Sequence, residues 1–190
     1  MAHGVETGRF GAWLVEQVAI AKPDAGYRIF FDHYQSASPD GGEPVAVAIK
    51  GFYGQQVSNA NRLADVDIAI VDSNNQVKIL IEIEERSSSP KKIVGDVFAV
   101  AMCNRVEVKL GNQSRLFSIT PETVLFVAGI INPKGNKLSQ LHDLIHPRIQ
   151  KFSSPPDGLS LTNVKFLFKQ SIDSTIAELK TSVLAQLQFD

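Results

Sequence analysis

Two hydrophobic periods alternate along this chain, and each predicts an element type. In residues 6–22, ETGRFGAWLVEQVAIAK, the apolar positions Phe10, Leu14, Val18 and Ile20 recur near helical spacing with Trp13 beside them. That pattern predicts a first helix ended by Pro23. YRIFFDHYQ is rich in aromatic and β-branched residues and predicts a strand. SASPDGGEP predicts a loop, VAVAIKGFYG another strand, and NANRL a lead into the next stretch. Asp67–Val71 and Val77–Glu84 predict two strands. The turn-forming run Asp72-Ser-Asn-Asn-Gln between them makes the pair an antiparallel hairpin.

After the hairpin, SSSP carries a helix-start signature, with Ser89 as N-cap and Pro90 at the first helical position. The helix is expected through KKIVGDVFAVAMCN. TVLFVAGII is apolar throughout and predicts a central strand. KLSQLHDLIHPRIQKF predicts a helix with a kink at Pro147. SSPPDG is the most linker-like stretch, NVKFLF a late strand, and IDSTIAELKTSVLAQLQ a final amphipathic helix. No repeat or low-complexity tract interrupts this order. The expectation is one α/β domain over residues 1–190, with a central mixed sheet containing an antiparallel hairpin and flanked by helices.

Composition narrows the class. The chain is 44% apolar and 21% charged, which is ordinary for a soluble globular protein. No apolar run reaches the roughly 18 residues of a membrane span, and no basic-then-hydrophobic leader opens the sequence. Cys103 is the only cysteine, so no internal disulfide can form, and a reducing, cytoplasmic compartment is expected. The net charge of −1 hides an asymmetry. Residues 1–85 hold 6 Lys/Arg against 12 Asp/Glu, whereas residues 86–151 hold 10 against 4. A basic surface beside an acidic cluster suits a polyanion held by metal ions; chance surface composition is the plainer alternative.

The acidic part ends on the second hairpin strand. Strand side chains alternate faces, so Lys78, Leu80, Glu82 and Glu84 share one face while Ile79, Ile81 and Ile83 point into the core. With a two-residue turn at Asn74-Asn75, Val71 faces Lys78, Ala69 faces Leu80 and Asp67 faces Glu82. Asp65 then faces Glu84 if the first strand extends that far. Directly opposed carboxylates repel unless a cation sits among them or some are protonated. Hard cations that take carboxylate oxygens and water, Mg²⁺ or Mn²⁺, fit such a patch. The alternative is a polar strand end fraying into solvent.

This arrangement resembles the PD-(D/E)XK nuclease superfamily, the fold of many restriction enzymes. Val66-Asp67 stands in the PD position and Glu82-Ile83-Glu84 in the second element. The order of helix, strands, helix and strand over roughly residues 6–130 is also similar. The resemblance implies a restriction-endonuclease-like fold and a Mg²⁺-dependent endonuclease acting on DNA, with Mn²⁺ as a substitute and a homodimer as the common assembly. It implies Asp67 and Glu82 as metal ligands together with the Ile83 carbonyl, Glu84 as ligand or base, and Glu16 on the first helix and Asp65 as further metal candidates. Glu84 departs from the pattern, which has Lys there. Arg86, Lys91 or Lys92 could supply the missing cation, and Lys91 and Lys92 are assigned near the phosphate. The alternative is a degenerate module of the same fold that binds nucleic acid or a protein partner. A third possibility is an unrelated α/β domain with Asp67 and Glu82 not opposed.

Other constellations carry less. His142 and His146 share a helical face, but Asp-Leu-Ile lies between them rather than the Glu-x-x of zinc proteases, so a structural or solvent-exposed role is expected, with a phosphate contact as the alternative. Cys103 is expected to be buried packing. His33-Tyr34 is uninformative, and the glycines of GFYG do not form a phosphate loop.

Overall fold

The computed structural model describes residues 4–21, 25–32, 48–54, 56–86, 89–130, 147–148, 161 and 163–188. Helix α1 spans Val5–Ala21. Strands follow at β1 (Arg28–Phe31), β2 (Ala48–Phe52), β3 (Arg62–Asp65), β4 (Ile68–Val71) and β5 (Gln76–Glu84), then helix α2 (Pro90–Ala101). Strands β6 (Arg105–Leu110), β7 (Gln113–Ile130) and β8 (Asn163–Lys169) lead to the final helix α3 (Ile172–Gln188). Among the described residues no helix is long and apolar enough to cross a membrane.

All eight strands join one mixed, open sheet in the order β1-β4-β5-β7-β6-β2-β3, with β8 also on β7. The unusual length of β7 makes this branching possible. Its first part, Gln113–Ser118, pairs antiparallel with β6. Its second part, Val124–Ile130, pairs parallel with β8, while β5 runs parallel along the other edge. Only Val66 and Asp67 separate β3, at one end of the order, from β4 near the other. Trans peptides advance at most about 3.6 Å per residue, so the sheet must curl to bring these ends together.

Strand alternation sorts the core into two layers. Ile68, Ile70, Ile79, Ile81, Val124 and Phe126 pack with Phe10, Leu14 and Val18 of α1 and Leu179, Val183 and Leu187 of α3. Ala69, Leu80, Leu125 and Val127 face the opposite side and pack with Ile93, Val97 and Val100 of α2. The strands between the layers read as continuous apolar runs because both their faces are buried. Ile20 is the exception to the predicted α1 stripe and is 76% exposed. It lies two residues beyond Val18, about 200° around a helix.

The hairpin has the expected register at its far end but reaches it differently. Ala69 pairs with Leu80 and Ile68 with Ile81, yet Val71 pairs with Val77 rather than Lys78. The turn is a three-residue loop, Ser73–Asn75, closed by Asp72 N–H donating to the Gln76 carbonyl at 2.9 Å. Lys78 is then an extra residue in β5, and this bulge restores the register that a two-residue turn would give. Asn75 takes the left-handed conformation (φ 61°), which Asn tolerates. The Asp72 carboxylate accepts from Asn74 N–H and Gln76 N–H, both at 2.9 Å.

Three elements escaped the hydrophobic pattern: β3, β6 and the first third of β7. They are short or polar, with exposed positions at Arg62, Leu63, Asp65 and Gly111–Leu116. Of the predicted strand YRIFFDHYQ, the structure describes Arg28–Phe31 as strand, and His33-Tyr34 lies outside the described residues. His142, His146, SSPPDG and the predicted helix around them also lie outside, apart from Pro147 and Arg148, which are helical.

Candidate metal centre

Asp67 sits in the short link between β3 and β4, where the chain passes from one end of the strand order to the other. Its carbonyl accepts from Asp32 N–H at 2.9 Å, continuing the β1–β4 ladder by one residue. Its carboxylate Oδ2 accepts from Ile83 N–H at 2.7 Å, which ties it to β5 between the two glutamates. Glu82 is the next β5 residue beyond the Ile68–Ile81 pair, close enough to feel the Asp67 charge.

Glu82 is the anomalous group. Its Oε1 is shut off from solvent and has no hydrogen-bond partner among the described residues. Burial first, then the charges of Asp67, Asp96 and Glu84, push its carboxyl well above the usual carboxylate range, with Lys92 pulling the other way. A buried carboxyl oxygen without a partner is costly and calls for either a proton or a cation.

Lys92 occupies the other end of the cluster. Ser89 caps α2 by accepting from Lys92 N–H at 3.3 Å, with Pro90 at the first turn, as the sequence predicts. This start directs the Lys92 side chain back over the end of β5. Its Nζ forms ion pairs with Glu84 and, at 2.9 Å, with Asp96 one helical turn on. Partial burial works against the ammonium, but the bonds to Glu84 and Asp96 prevail and hold it above its ordinary pKa. The following helix thus sets an ammonium against the carboxylate at the end of β5.

These groups line one cavity of about 660 Å³, together with Asp32, Asp65 and Arg86. Asp65 does not face Glu84, contrary to the sequence expectation. It belongs to β3, pairs with Lys50 of β2, and its carboxylate forms an ion pair with Arg62. The break at Val66-Asp67 ends the hairpin register before it reaches Asp65. Glu16 is exposed on α1 and does not line the cavity, because it lies opposite the buried Phe10–Leu14–Val18 stripe. Lys91 is exposed and also lies outside the lining, one helical step round from Lys92.

Asp96 and Asp32 were missed by sequence reading. The i,i+4 spacing of Lys92 and Asp96 on a capped helix could have revealed the first. Asp32 depends on the β1–β4 pairing, which no local signal gives. Glu85 has a separate role: its carboxylate accepts from Gly4 N–H (3.2 Å), Glu6 N–H (2.8 Å) and Thr7 N–H (3.0 Å), capping α1. Cys103 is buried just past the end of α2, and burial pushes its thiol up to about 12, which fits packing rather than nucleophilic chemistry.

Among the described residues no three His, Cys, Asp or Glu side chains are already arranged around a common metal position. Asp67 and Glu82 are the two carboxylates here that could hold a hard divalent cation, which takes carboxylate oxygens and water. The orphaned Glu82 oxygen fits such an ion. No family model, curated protein or solved structure matches the chain.

Proposed function

We propose that the protein is a Mg²⁺-dependent nuclease, with Mn²⁺ able to substitute, that hydrolyses phosphodiester bonds of DNA. The observation that carries this reading is the Lys92 ammonium on Glu84, beside the orphaned Glu82 carboxyl and Asp67. The PD-(D/E)XK resemblance implies two acids and one cation at a strand end. Here the acids lie on the hairpin and the cation comes from α2. The order of elements supports the same restriction-endonuclease-like reading: α1 precedes the antiparallel set β1-β4-β5, and the chain then passes through α2 to the parallel partner β7.

Asp67, Glu82 and the Ile83 carbonyl would hold the cation. When bound, it polarises the scissile phosphate and lowers the pKa of the attacking water. The chain's own groups do the rest. Ile83 N–H fixes the Asp67 carboxylate, so that this ligand is oriented before substrate arrives. Glu84 and Asp96 hold Lys92 protonated at the edge of the cavity, where its charge can stabilise the negative phosphoryl oxygens of the transition state. In the reaction the water oxygen bonds to phosphorus and the bond from phosphorus to the leaving sugar oxygen breaks. The water's proton passes to solvent, which also protonates the leaving oxygen. Glu84 acts here as the positioning residue for Lys92.

The degenerate binding module remains the rival, but it gives no reason for a lysine to be held at Glu84 by two carboxylates. The test is cutting of a supercoiled plasmid and of a single-stranded circle in Mg²⁺, Mn²⁺ or EDTA. Cutting that needs metal and disappears in Glu82→Ala supports the nuclease. Cutting that survives the substitution, or none in any metal, contradicts it.

A further inference from the structure

The cavity holds more than a phosphate needs. Its volume of about 660 Å³ falls in the range of pockets that enclose whole small ligands, about 300–1,000 Å³. Its lining is also divided. Its acids are Asp32, Asp65, Asp67, Glu82, Glu84 and Asp96, and Lys92 and Arg86 supply the cations. Leu63 of β3 and Ala99 of α2 add apolar surface to its wall, as do Ala64, Val66 and Val100. Leu63 is 40% exposed. A single exposed leucine is common on protein surfaces. This one stands in the wall of a strongly charged cavity, where a phosphate or an aqueous ion gains nothing from it.

A nucleobase would gain from such a wall. Within a duplex, bases are stacked inward and leave the helix only by flipping out, whereas an unpaired strand offers them freely. We propose that the cavity takes an unpaired strand, seating one base against Leu63 and Ala99 while the adjoining phosphate meets Lys92 and the Asp67–Glu82 pair. This inference rests on the nuclease reading and deepens it to substrates with single-stranded segments. β3 and α2 pack against each other, which brings Leu63 and Ala99 into the lining of one cavity.

The test is fluorescence anisotropy in Mn²⁺ with a labelled, fully phosphorothioate oligonucleotide that resists hydrolysis. It is offered as a single strand, as the same strand annealed to its complement, and as an abasic strand of equal length. Leu63→Ser is compared with wild type, with Ile20→Ser on the far side of α1 as control. The expected result is single-strand binding at least tenfold tighter than duplex. Leu63→Ser should weaken it roughly fivefold by removing apolar contact, to the level of the abasic strand, with Mn²⁺ binding and melting temperature unchanged. Duplex binding as tight as single strand, or abasic binding as tight as base-bearing strand, with Mn²⁺ still bound, overturns the base subsite alone. Loss of both Mn²⁺ and nucleic-acid binding in wild type overturns the nuclease reading with it.

Discussion

Replacing Glu82 by Gln should stabilise the metal-free protein, and increasingly so as pH rises. Glu82 Oε1 is buried without a partner, and burial with three neighbouring acids raises the carboxyl's pKa in the folded state. In the unfolded chain a glutamate titrates near about 4.3. Below that pH both states are protonated and the site contributes its full stability. Above it the unfolded chain releases the proton first, so the folded state binds more protons and stability falls as pH climbs toward the raised folded pKa. For one proton the slope reaches about 1.4 kcal/mol per pH unit. Each kcal/mol moves the melting temperature of a chain this size by roughly 2–4 °C. Glutamine keeps the shape, removes the titration and can donate to a neighbouring carboxylate. Thermal melts in EDTA at successive pH values should therefore converge for the two proteins near pH 4 and separate above it, with Glu82→Gln the more stable. Saturating Mg²⁺ should close or reverse the gap, because the wild type gains more from binding. Parallel melting curves across the range in EDTA, or a wild type more stable than the variant at neutral pH, would refute the reasoning.

Three further outcomes follow from the geometry. Lys92→Ala should lower the cleavage rate about 10²–10³-fold, as expected for removing a charge aimed at the transition state. It should change stability by less than about 1 kcal/mol, because the ammonium is 55% exposed and its ion pairs are screened; single-turnover kinetics beside thermal melts separate the two effects. Glu85→Ala removes the cap of α1 and should cost about 1–2 kcal/mol, read by urea unfolding. At Gly51 an added Cβ would lie 2.6 Å from Cys103 Sγ, so Gly51→Ala should lose about 1–3 kcal/mol to overpacking. A Gly51→Ala/Cys103→Ala double variant should recover part of that loss, and additive losses would argue against the contact.

What the sequence made legible was what local periodicity encodes. The stripes of α1 and α3, the capped start of α2, the apolar β5 and the second half of β7 all declare themselves in a few residues. That Asp67 and Glu82 lie near each other was legible because strand alternation and hairpin register are short-range rules. They held at the site because the longer loop and the Lys78 bulge cancel each other. The elements that escaped, β3, β6 and the start of β7, are stabilised by distant partners rather than by their own pattern. Asp65 was misplaced for the same reason, since only the β2–β3 pairing shows that it leaves the hairpin. Which of Lys91 and Lys92 meets Glu84 turns on the rotation of α2 at its cap. That places Lys92 over Glu84 and Lys91 one step away, a difference of one residue that composition cannot resolve.

The central claim is that Asp67 and Glu82 hold a divalent cation. Calorimetric titration of Mn²⁺ into metal-free protein at neutral pH tests it most directly, with Glu82→Gln and Asp67→Asn alongside wild type. The account predicts a saturable site in wild type that weakens at least tenfold in each variant, while the folded structure by circular dichroism is unchanged. Equal binding in all three proteins, or none in wild type, would contradict it.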